Sequence, residues 1–274
     1  MKRKEDWVLD QLKGHVEFMQ ELGITGVAPE VLSCLKKGVV PGKLKNKKEK
    51  TSLPRRKEDP VVHRTAFSSG PSLFKIGESI PPSYPNLETV RGNLGDCRRC
   101  KLARGRTNIV FGSGNPKSKL VFVGEGPGAD EDAQGLPFVG KAGQLLTKII
   151  ESIQLRREEV YICNVVKCRP PENRVPEKDE IAACSPFLLA QLEVIRPGII
   201  CCLGATSAQA LLKTNAYMGK LRGRFYDYNG AQLIATYHPA YLLRNPAAKR
   251  EVWEDMKKIR ALIDSEKQVG RWSG

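Results

Sequence analysis

Acidic residues are the scarce charge in this chain, 30 against 45 Lys and Arg, and histidine is scarcer still, at three in 274 residues. The resulting net charge of +15 points to a polyanionic partner, nucleic acid first and an acidic membrane surface second. No apolar run approaches the ~20 residues a membrane-spanning helix requires. The basic start Met1-Lys2-Arg3-Lys4 runs into Glu5-Asp6-Trp7 rather than the apolar core of an export signal. A cytoplasmic, nucleoid-associated protein without a membrane span is expected. The segment Gly124-Glu125-Gly126-Pro127-Gly128 lacks the lysine and hydroxyl of a phosphate-cradling loop and the glycine spacing of a dinucleotide fingerprint, so it fits neither nucleotide site. Eight cysteines without an export signal argue for metal ligation or burial of single thiols rather than a disulfide framework.

The chain divides into three regions. In residues 1–35, Val8, Leu9, Leu12, Val16, Met19 and Leu22 form a helical stripe, suited to covering the protein's own core or to docking a protein partner. From Lys36 to Pro60 there are ten Lys or Arg against three acids, and Pro, Gly and Ser dominate from Ser68 to Pro85. Residues 36–85 therefore read as a basic, mostly disordered linker. Residues 86–274 carry the folded, functional domain.

In that domain four β-like runs, Leu120 to Val123, Val160 to Asn164, Ile199 to Leu203 and Leu233 to Tyr237, alternate with helical patterns at Ala142 to Ser152, Pro176 to Ile195, Ala205 to Leu212 and Ala247 to Ile263. Such alternation predicts a three-layer α/β/α sandwich around a central, mainly parallel four-stranded sheet. Strand carboxyl ends then converge on one face and bring Glu125, Asn164 and His238 together. The glycine-rich segment, with Glu131 and Phe138, is expected as a long loop between the first strand and its helix.

Cys97 and Cys100 form a C-x2-C pair, and Cys168 and Cys184 follow after 67 and 15 intervening residues. Four thiolates at one metal centre are plausible on this pattern, with the two singletons favouring iron-sulfur and zinc remaining open. Cys163, Cys201 and Cys202 lie in or beside apolar strands and read as buried small hydrophobes. Cys34 gives no signal.

The glycine-rich segment through Gly143, the run Asn164-Val165-Val166-Lys167-Cys168-Arg169-Pro170-Pro171, and His238-Pro239-Ala240-Tyr241-Leu242-Leu243-Arg244-Asn245-Pro246 resemble the motifs of the iron-sulfur (fourth) family of uracil-DNA glycosylases, of bacterial or archaeal type. The resemblance spans about residues 94–263. It implies a [4Fe-4S] cluster on Cys97, Cys100, Cys168 and Cys184 and a DNA repair glycosylase that hydrolyses the bond between uracil and deoxyribose, acting as a monomer on single- or double-stranded DNA. It assigns Asn164 to the uracil edge, Phe138 to stacking, and His238, with the backbone of Glu125 and Gly126, to O2 of the leaving base. Gly126 stands where related enzymes place a water-activating aspartate, which leaves Glu125, ahead of Glu131, as the candidate base. Gly128 stands where they place a methyl-excluding tyrosine, so Glu131 or Phe138 is expected to form that wall; Gly124 lines the site. Leu242 matches the wedge position, with Leu243 as a packing residue, and Lys167, Arg169, Arg174 and Arg244 are candidate phosphate contacts.

Two other readings share these residues. One is a covalent trapping variant, disfavoured because residues 169–183 contain no histidine. The other is a non-catalytic iron-sulfur DNA-binding module tethered to replication or repair machinery through residues 1–35.

Overall fold

The structure, a computed structural model, describes residues 84–268. The expected helical stripe of residues 7–22 and nearly all of the basic linker lie outside the described residues. Among those described, no helix is long and apolar enough to cross a membrane.

Four parallel strands, β2 (Leu120–Gly124), β3 (Tyr161–Asn164), β4 (Ile199–Leu203) and β6 (Ala231–Thr236), form the centre of a six-stranded sheet ordered β1-β3-β2-β4-β6-β5. The expected four-stranded parallel core is present, and two antiparallel edges extend it: β1 (Ser113–Gly114) on β3 and β5 (Phe225–Tyr228) on β6. Both edges escape an apolar-run reading. β1 has two residues, and β5 alternates exposed and half-buried positions. The hairpin that returns β5 to β6 turns on Asn229 and Gly230, both at positive φ, the two-residue turn matched to strand twist.

The central strands are buried on both sides, which is why they read as continuous apolar runs. Leu120, Phe122, Ile162 and Ile199 face α3 (Lys141–Ser152) and α8 (Lys249–Gln268), whereas Val121, Val123, Cys163 and Ile200 face α4 (Lys178–Ile195) and α5 (Ala205–Leu212). An additional helix, α1 (Leu87–Leu94), packs on α4 through Val90, Leu94, Phe187 and Ala190. The long loop after β2 contains a short helix, α2 (Ala129–Gln134). Between β4 and β5 lies α6 (Met218–Leu221), and α7 (Pro239–Arg244) follows β6.

From β2 the chain passes to β3 on one side, then returns by α4 to β4 on the other. The carboxyl ends of β2 and β4 therefore part into a crevice, the place where open α/β sheets bind ligands.

Candidate active site

A cleft of about 740 Å³ opens over these strand ends. It brings together Glu125, Gly126, Gly128, Glu131 and Phe138 from the β2 side, Asn164 from β3, and His238 and Arg244 from beyond β6. The convergence expected from strand alternation is thus present in the structure.

Asn164 ends β3, in register with Gly124. It is 1% exposed, and its Oδ1 has no hydrogen-bond partner. An orphaned buried acceptor costs about 1–3 kcal/mol, so one at a cleft marks a place where a ligand donor fits. Gly124 makes room for it: a Cβ there would lie 2.3 Å from Asn164 Oδ1 and 2.6 Å from Phe138 Cζ.

Phe138 adopts φ 53°, a left-handed conformation that is unusual for a bulky residue and needs outside support. Its neighbours supply that support. Arg157 Nη2 donates to Pro137 O at 2.7 Å. Glu131 Oε1 accepts from the Val139 and Gly140 amides at 2.9 and 3.0 Å, and its Oε2 accepts from Gly128 N–H at 3.1 Å. With three backbone donors on its carboxylate, Glu131 braces the loop. The next residue, Asp132, is buried and takes the amides of Thr107 and Asn108 at 2.9 and 3.2 Å.

His238 caps α7, its Nδ1 accepting from Ala240 N–H at 3.1 Å. The neutral ring must then carry its proton on Nε2. Desolvation by the surrounding protein, reinforced by the positive charge of Arg244 and only partly opposed by Glu131, pushes its pKa down to about 4. It is a neutral donor at physiological pH.

Glu125 Oε2 accepts from Thr206 Oγ1. Thr206 lines the cleft with Gly204 and Ala205 and was missed in the sequence, although the turn at the end of the buried run Ile199 to Leu203 was its signal.

Two expected DNA contacts, Lys167 and Leu242, need correction, and a third, Arg174, is engaged within the protein. Lys167 is 1% exposed; its Nζ donates to Asn164 O at 2.7 Å and Gln191 Oε1 at 2.5 Å, and burial holds its pKa below the usual lysine range. No phosphate can reach it there. Arg174 lines the cleft with its side chain 34% exposed, and its guanidinium makes a fork to Glu180 at 2.8 and 2.6 Å, a bond that raises its pKa. Leu242 is 1% exposed and part of the core, because the helix starting at Pro239 turns it inward; Leu243, on the outer side, is 48% exposed. Arg244 is exposed at the cleft, and Arg169 is half-buried with Nε on Asn173 Oδ1 at 2.9 Å.

All seven described cysteines are free. Cys168 lies within electrostatic reach of Cys97 and Cys100, and Cys184 within reach of Cys168 and Cys100. Nitrogen donors point at three of the sulfurs: Arg99 Nη1 at Cys97 (3.3 Å), Arg106 Nη1 at Cys168 (3.4 Å) and the Lys167 amide at Cys184 (3.3 Å). N–H bonds to sulfur stabilise thiolates and tune the clusters they hold. Among the described residues no group of three or more His, Cys, Asp or Glu is arranged to hold a single metal ion, and a multinuclear cluster spreads its thiolates wider than one ion does. Cys163, Cys201 and Cys202 are fully buried in the strands, as expected.

Residues 111–257 match the family model described as the uracil DNA glycosylase superfamily. The type-4 uracil-DNA glycosylase of Thermotoga maritima is 48% identical over 184 residues, 66% of this chain and 96% of that protein. That of Saccharolobus solfataricus is 48% identical over 189 residues, covering 66% and 88% respectively. The Archaeoglobus fulgidus protein of the same name is 44% identical over 182 residues, covering 64% and 92%.

Proposed function

The chain belongs to the uracil DNA glycosylase superfamily, and from that premise we propose that it is a monofunctional DNA repair glycosylase that hydrolyses the N-glycosidic bond of uracil in DNA and leaves an abasic site. The observation that carries this reading is the orphaned Oδ1 of Asn164 in the cleft. A base flipped into the cleft gives that oxygen its N3–H, while the amide donates to O4. Cytosine presents the opposite pattern and would leave both groups unpaired.

Phe138 offers its ring for stacking. His238 donates from Nε2 to O2, where negative charge gathers as the bond between N1 and C1′ breaks. Glu125 takes a proton from a water whose oxygen bonds to C1′; the electron pair of the broken bond leaves with uracil, which is later protonated at N1. Glu131 supports the loop, and its side chain fills the space beside Gly128, where an added Cβ would lie 2.7 Å from Oε2. That makes it the wall a 5-methyl group would meet. Leu243, rather than Leu242, is the apolar side chain available as a wedge. Arg244 and Arg169 are the phosphate contacts.

Cys97, Cys100, Cys168 and Cys184 would hold a [4Fe-4S] cluster. When bound, it ties the 97–100 loop to the segment after Asn164 and to α4, and it supplies no step of the hydrolysis.

Incubation with a uracil-containing oligonucleotide tests the function. Strand breakage only after alkali is expected. A covalent protein–DNA adduct would indicate trapping instead, and an intact oligonucleotide would leave a binding module.

A further inference from the structure

We propose that Thr206 is a positioning residue for Glu125 and helps to seat the attacking water across the crevice between β2 and β4. This rests on the assignment of Glu125 as the base. Glu125 is the first residue beyond β2, and Thr206 lies in the first turn of α5, immediately after β4. The two are neighbours only because the chain reverses its direction across the sheet between these strands, and the Thr206 hydroxyl spans the opening to donate to Glu125 Oε2.

The turn that delivers Thr206 is shaped for the purpose. Gly204 has φ 97°, and a Cβ there would be strained and only 3.3 Å from His238 Cβ. Its amide is tied to Thr236 O at 2.8 Å. The turn is therefore wedged beside His238 on one side while reaching Glu125 on the other, fixing the spacing between base and leaving-group donor.

A hydroxyl has one proton. Thr206 gives its proton to Glu125, so toward the cleft its oxygen can only accept. A water that donates one hydrogen to Glu125 and the other to Thr206 Oγ1 keeps a lone pair free for C1′, the orientation that proximity catalysis requires. A threonine that merely started its helix would affect stability and nothing specific to Glu125.

The test is a double-mutant cycle on the full chain, read by single-turnover excision under saturating enzyme and, separately, by DNA affinity. T206V should lower the rate on the order of tenfold, the scale of one lost hydrogen bond, with DNA affinity unchanged, and T206S should restore it. In the E125Q background T206V should cost little more. An equal loss in both backgrounds, or failure of T206S to rescue, overturns the positioning role. A wild-type rate for T206V beside a slow E125Q overturns it while leaving the base assignment standing. A wild-type rate for E125Q removes the base assignment and this proposal with it.

Discussion

Phe138 and His238 face each other with ring centroids 5.5 Å apart and planes inclined by 34°, so the loop after β2 and the end of β6 supply two adjoining walls of one slot. Phe138 is held there despite its positive φ by Arg157 and the Glu131 brace. His238 is held by its own cap, which commits Nδ1 to the backbone and leaves Nε2 as the ring edge for a guest. In the proposed reaction, stacking and charge stabilisation would then come from side chains whose orientation is set before any base arrives, which is how electrostatic preorganisation works.

Removing the His238 donor should slow the chemistry and spare binding. His238→Ala is expected to lose about 10²-fold to 10³-fold in single-turnover excision with near-normal DNA affinity. A wild-type rate under saturating enzyme would take His238 out of the reaction.

The protonation state of His238 gives a separate expectation. Its folded pKa, about 4, lies below the ordinary 6.5, so the unfolded chain binds the extra proton first as pH falls. The stability held by the neutral ring is complete above the unfolded value and is lost as pH drops from there through about 4. Imidazole ¹⁵N shifts should report a neutral Nε2–H ring at about pH 5, and the difference in urea midpoint between wild type and His238→Gln should shrink between about pH 7 and pH 4.5. A ring that titrates near 6.5 would contradict this.

Uracil selection should depend on the Asn164 amide as a donor and acceptor pair. Asn164→Asp replaces the donor to O4 with a second oxygen and places a carboxyl in a site that is 1% exposed. Excision of uracil should fall by roughly 10²-fold or more, since a site built to pair polar groups loses heavily when they face each other unpaired. Comparison of uracil and cytosine substrates measures the change in selectivity. An unchanged preference would move base reading elsewhere in the cleft.

The parallel core and the cleft at its strand ends were legible because they depend on signals that local sequence carries: apolar runs and the residue that follows each run. Asn164 and His238 sit where strand ends predict. What stayed hidden depends on tertiary partners. Lys167 looks like surface charge until Gln191 and the Asn164 carbonyl surround it. Arg174 looks free until Glu180, six residues on, takes its guanidinium. The face of Leu242 is set by where the helix begins at Pro239, and Thr206 becomes a site residue only when β4 is laid beside β2.

The two leucines after His238 should separate stability from DNA handling. Leu242→Ala removes a side chain packed in the core and is expected to cost about 2–5 kcal/mol, read as a lower urea midpoint. Leu243→Ala should leave the unfolding free energy within ~0.5 kcal/mol and slow excision from duplex DNA more than from single strands, because only a duplex has a gap to fill. The reverse pattern would return the wedge to Leu242.

A [4Fe-4S] cluster on Cys97, Cys100, Cys168 and Cys184, as proposed, would give a brown protein with broad visible absorption, and Cys184→Ala should lose both the colour and much of its folded yield. Metal binding and folding are coupled where ligands come from separate segments, and the proposed ligands would come from the 97–100 loop, the stretch after β3, and α4. A colourless protein containing stoichiometric zinc would replace iron with zinc at the same cysteines.

Salt dependence distinguishes the basic side chains that meet phosphate from those that hold the fold. Each phosphate neutralised on duplex DNA contributes about 0.9 to the slope of log affinity against log salt. Arg244 is exposed at the cleft, so Arg244→Gln should reduce that slope by roughly this amount and leave the melting temperature alone. Lys167→Met should do the opposite. It strands the Asn164 carbonyl and Gln191 Oε1, each an acceptor whose burial without a partner costs about 1–3 kcal/mol, so stability should fall while the slope is preserved. Because that lysine holds the backbone of Asn164, excision should decline along with stability. A lower slope for Lys167→Met would mean that the side chain leaves its buried position to meet DNA.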